Sequence, residues 1–168
     1  MKQFIISRCR QTWGTEYSVA GYETKEAVLH AIHNQSWKNK IDFYGVDDAL
    51  IFSMKCRDLF GMTYDVINAD ESVMGVLDRE NWLSPLLQVA DIRSGQKAQV
   101  IKVSPSLYEE FRLILGQETV CFFRKADSFS SPLICCCLDD SQVSLDLMLS
   151  VGILLLGQGP ADAGGGIG

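Results

Sequence analysis

The stretch "VSLDLMLSVGI", residues 143 to 153, places Val143, Leu145, Leu147, Leu149, Val151 and Ile153 at odd positions, with Ser144, Asp146 and Ser150 at even ones. Successive side chains of a strand point to opposite faces, so this alternation predicts a long β-strand rather than a helix. An alternating strand near a chain end is free to pair across subunits unless something covers it, which predicts a route to homo-oligomers through this run.

Working outward from that stretch, "PLICCCL" (132–138) and "ETVCFFRK" (118–125) also read as strands. So do "KAQVIKV" (97–103), "TYDVINA" (63–69) and an opening hairpin, "QFIISRCR" and "TEYSVAGY", joined by "QTWG". Three segments show helical spacing instead. In "TKEAVLHAIHNQSW" (24–37), Thr24 is a suitable N-cap, and Ala27, Val28, Ala31 and Ile32 share a face. In "DDALIFSMKCRDLF" (47–60), Leu50, Ile51, Met54 and Leu59 form a stripe that ends at Gly61. In "SPSLYEEFRLILG" (104–116), Ser104 caps, Pro105 fits the first turn and Gly116 stops the helix. Residues 70–96, interrupted by Gly75, Pro85 and Gly95, read as an irregular excursion. No internal repeat stands out.

The order of elements favours an α+β fold, a mixed, largely antiparallel sheet with about three helices packed on one face. A chain of 168 residues that is 47% hydrophobic and 21% charged can bury a core of its own. A single domain over residues 1–156 is expected, with the Gly-rich run 157–168 as a disordered tail. No secretory signal is read at the amino end, which places the protein in the cytoplasm with reduced thiols. The apolar run Leu147–Leu156 is about half the length a membrane helix needs.

The three consecutive cysteines, Cys135, Cys136 and Cys137, are the most unusual feature. In a strand they alternate in direction and cannot converge on one tetrahedral ion, and the chain has no CxxC pair, so they read as core. His30 and His33, the two histidines, would share a face of the first expected helix. With a thiol from Cys9, Cys56 or Cys121 nearby they are the only candidates for a small enzyme or metal-dependent protein, and nothing in the sequence brings such a pair together. Nucleophile elbows and phosphate-cradling glycine loops are absent. The neighbouring carboxylates Asp47 with Asp48, Glu109 with Glu110 and Asp139 with Asp140 fit caps and turns. No cofactor is expected.

Charge is the remaining signal. Fifteen Lys and Arg stand against 21 Asp and Glu, a net charge of −6 that disfavours nucleic-acid binding. Residues 131–168 carry four acids and no Lys or Arg. Asp70, Glu71, Asp78 and Glu80, with Trp82 close behind, combine carboxylates with a large aromatic and are the candidate contact residues for a partner. The sequence therefore predicts a small, acidic, non-enzymatic binding protein of the inhibitor, immunity or adaptor kind, engaging a neutral or basic protein.

Overall fold

A computed structural model describes residues 1–11, 14–34, 39–58, 60–80, 87–103, 109–125 and 132–157. The chain forms twelve strands and then one helix. The strands are β1 (Lys2–Gln11), β2 (Gly14–Gly21), β3 (Ala27–Asn34), β4 (Lys40–Gly45), β5 (Leu50–Cys56) and β6 (Thr63–Asn68). They continue with β7 (Val73–Arg79), β8 (Leu87–Asp91), β9 (Lys97–Val103), β10 (Glu110–Leu115), β11 (Glu118–Lys125) and β12 (Leu133–Cys137), followed by α1 (Leu145–Gly157). Each strand pairs antiparallel with its neighbours in sequence. β1 pairs with β12, Lys2 opposite Cys137 through Ile6 opposite Leu133, which closes a barrel.

This corrects the expected α+β sheet: the three segments assigned to helices contribute β3, β5 and β10, and the segment assigned to the last strand is the helix. The physical reason lies in the outer wall. On β3, Leu29 and Ala31 face the core, while Val28 and Ile32 stand outside at 40% and 38% exposure. Apolar residues on both faces fill a helical template as readily as a strand. Leu50 and Ile51 do the same for β5. In β10, Phe111 and Leu113 face inward and Arg112 outward, a plain alternation that the preceding Ser-Pro signal obscured.

The helix was misread because it is buried on every side. Leu147 through Leu156 are all buried, so no polar stripe marks a helical period. The polar residues that create the alternation serve the helix instead. Ser144 is its N-cap, its Oγ accepting the Leu147 N–H at 3.4 Å. Ser150 donates back to the Asp146 carbonyl at 2.7 Å, which satisfies a fully buried hydroxyl. Leu147 packs against Gly75 on β7, whereas Gly152 faces Ile6, Phe123 and Leu133 on β1, β11 and β12. Those strands lie on opposite sides of the ring, so α1 occupies the lumen. The side chains of α1 and the inner wall form one hydrophobic core. Among the described residues no helix is long and apolar enough to cross a membrane.

A repeat invisible as sequence identity emerges in the turns. Thr24 Oγ1, Asp47 Oδ1, Asp70 Oδ1 and Ser94 Oγ each accept the backbone N–H two residues on. The residue between, Lys25, Asp48, Glu71 or Gly95, has a positive φ near 60–70°. These four positions recur about every 23 residues and end one β-hairpin apiece. The "irregular" segment 70–96 thus contains regular β7 and β8, with residues 81–86 between them outside the described set.

Candidate functional site

The four repeated turns gather at one end of the barrel, together with Asp139 and Asp140 and the start of α1. Their side chains give this end its character. Glu23, Glu26, Asp47, Asp48, Asp70 and Glu71, with Asp139 and Asp140, stand against Lys2, Lys25, Arg93 and Lys97. Asp139 is held ionised by the Ser141 side chain and N–H, and Asp140 by Lys2, whose Nζ lies 2.6 Å away. Exposed apolar side chains crowd the same end: Val46 is 72% exposed and Ile92 55%, beside Val28, Leu50, Ile51 and Val73.

Between the β6–β7 turn, the β8–β9 turn and the start of α1 lies a cavity of about 290 Å³. Val73, Met74 and Ile92 form its apolar side; Asp91, Arg93 and Asp146 form its polar side. Asp91, 2% exposed, is the organiser. It accepts the Ser94 N–H at 3.1 Å and the Ser144 N–H at 2.9 Å, tying the β8–β9 turn to the helix entry. Ser94 adds a hydrogen bond to the Gln142 carbonyl at 2.6 Å. Arg93 reaches Asp91 at 4.0 Å, the outer limit of an ion pair. Asp146 has no comparable structural duty: burial pushes its carboxyl above the usual range, and Arg93 draws it only part of the way back. The cavity is at the small end for ligand sites, suited to one side chain rather than a cofactor.

Of the expected contact residues, Asp70 and Glu71 stand at this end in the β6–β7 turn, although Asp70 is engaged by the Ser72 N–H and hydroxyl. Asp78 and Glu80 lie toward the other end of β7, about 20 Å away at the rise of a strand. Asp78 accepts the Thr63 hydroxyl at 2.8 Å on the outer wall. The four carboxylates therefore do not form one patch, and Trp82 lies outside the described residues. Asp91 and Asp146 were missed by sequence reasoning because neither belongs to a motif. The signal available was the 23-residue spacing, which places Asp91 beside the Ser94 turn.

The histidines do not share a face. His30 points outward, stacked on Tyr44 at 5.4 Å and 3.7 Å from Asp48, whereas His33 points inward with Nε2 2.5 Å from Asn39 Oδ1. Among the described residues no cluster of three His, Cys, Asp or Glu can hold a metal. The cysteines sit as a strand dictates, Cys135 and Cys137 inward and Cys136 on the opposite face, all three buried. Cys121 and Cys135 sulfurs lie 3.7 Å apart in the core. The hydrogen bond with Cys135 and then burial push Cys121 far up, and burial with Asp140 raises Cys137 to about 11, so these thiols stay protonated and unreactive.

No family model, curated protein or solved structure matches this chain.

Proposed function

We propose that the protein is a non-enzymatic binding module that engages a basic protein partner through the tight-turn end of the barrel. The observation that carries this reading is the coincidence, at that end, of most of the exposed large apolar side chains with a surplus of carboxylates and a side-chain-sized cavity. Exposed apolar groups rimmed by charge mark association surfaces, and a surface of one sign steers a partner of the other. The acids have a structural duty as well, since Asp47 and Asp70 are turn formers. Asp48 and Glu71, at the exposed left-handed turn positions, carry charge that the turn geometry does not demand.

The test replaces Asp48→Lys and Glu71→Lys together, because Lys25 already occupies the same position in the equivalent turn. A protein captured by the wild type should be lost from the double variant while melting temperature and circular dichroism stay unchanged. An arginine- and leucine-containing peptide should bind the wild type with an affinity that falls as salt rises. Capture and peptide binding that survive both the substitutions and the salt would remove the proposal.

A further inference from the structure

Toward the opposite mouth of the barrel lies a cation that pairs with no carboxylate among the described residues. Arg79, the last residue of β7, lies on the inner face with Gly75 and Leu77. Its Nε is buried and has no hydrogen-bond partner. Burial draws the guanidinium down, and the groups acting against that are the Tyr64 hydroxyl and the Cys56 thiol. Three of the nearby acids are otherwise committed: Asp58 accepts the N–H groups of Phe60, Met62 and Thr63, Asp65 pairs with Arg57, and Asp78 faces outward to Thr63; the fourth, Glu80, is exposed to solvent.

A polar chain ends at the Tyr64 hydroxyl, one of the two groups that act electrostatically on this guanidinium. His33 Nε2 meets Asn39 Oδ1 at 2.5 Å, and Asn39 Nδ2 donates to the Tyr64 hydroxyl at 3.4 Å. With its oxygen accepting from Asn39, the Tyr64 hydroxyl keeps its own proton available to donate. A buried donor left unpaired is costly. An anion that accepts from Nε removes that cost.

We propose that this mouth binds a small carboxylate, held by the guanidinium of Arg79 and the hydroxyl of Tyr64, with Asn39 and His33 orienting that hydroxyl. The class follows from geometry and charge. A guanidinium offers two parallel N–H groups matched to a planar carboxylate, and one cation balances one negative charge rather than the nearly two of a phosphate. This site is independent of the tight-turn end, so either reading can fail alone.

Acetate and succinate, titrated at constant ionic strength against chloride, provide the test. In the wild type they should raise the melting temperature saturably and move the Arg79 Nε–H resonance to the position of a hydrogen-bonded guanidinium. Arg79→Met should weaken the effect about tenfold or more, and Tyr64→Phe severalfold, as expected for charge-assisted and neutral hydrogen bonds respectively. The resonance is read on the wild type, so the test stands even where a variant folds poorly. An unmoved Arg79 resonance, a response equal in Arg79→Met, or phosphate acting more strongly than either carboxylate would overturn the proposal.

Discussion

Asp146 shows what a single side chain can reveal. An anion in the first turn of a helix is favoured by the helix dipole, yet burial prevails and the carboxyl is raised. A group whose folded-state pKa lies above its unfolded value contributes nothing unfavourable while protonated in both states. It opposes folding progressively as pH climbs from the unfolded value through the folded one. Asp146→Asn should therefore leave stability unchanged in acid and raise it at neutral pH, flattening that part of the curve measured by urea denaturation across pH. If Asp146 serves the cavity, the same variant should weaken peptide binding while gaining stability. The cysteines give a second expectation: a thiol reagent at neutral pH should label exposed Cys9 in the native protein, and Cys121, Cys135 and Cys137 only after unfolding, as read by mass spectrometry. The direction of the cysteine run was legible in the sequence, since a strand fixes which thiols share a face. The role of Asp146 was not, because its environment is made by turns remote in sequence.

At the scale of elements, β7 and α1 fit through one missing side chain. A Cβ at Gly75 would meet the Ala90 carbonyl oxygen at 2.9 Å and both terminal methyls of Leu147. Gly75→Ala should cost about 1–3 kcal/mol through overpacking. Leu147→Ala should cost about 2–5 kcal/mol by opening a cavity. The double variant should fall short of the sum, because each change relieves part of the other, and a denaturant cycle on all four proteins checks the coupling. Six of the strands, those bounded by clear turn residues or strict alternation, could be read from the sequence. β3 and β5 could not, because Val28, Ile32, Leu50 and Ile51 place apolar groups on the outer wall. The helix could not either, because burial on all sides erases the polar face by which a helix is recognised.

For the whole molecule, the lumen is the core and α1 fills it. Eight apolar side chains of α1 are buried, from Leu147 to Leu156. At about 1.5–3 kcal/mol each their burial is worth roughly 12–24 kcal/mol, as large as the entire stability of an ordinary domain. A chain ending at Gln142 should lose its cooperative unfolding transition and bind a hydrophobic dye, as followed by urea titration and fluorescence. Size and a single core were legible from length and composition. Closure was not, because pairing of β1 with β12 joins residues more than 120 apart and leaves no local mark.

That arrangement also orders events in time. The first strand waits for the twelfth to be synthesised, and every inward side chain waits for the helix that comes after both. At about 5–20 residues per second a ribosome takes roughly 10–30 s to pass from the first strand to the end of the helix. Throughout that interval the growing sheet has two open edges and an uncovered apolar face, the exposure that makes a partly folded chain prone to aggregate.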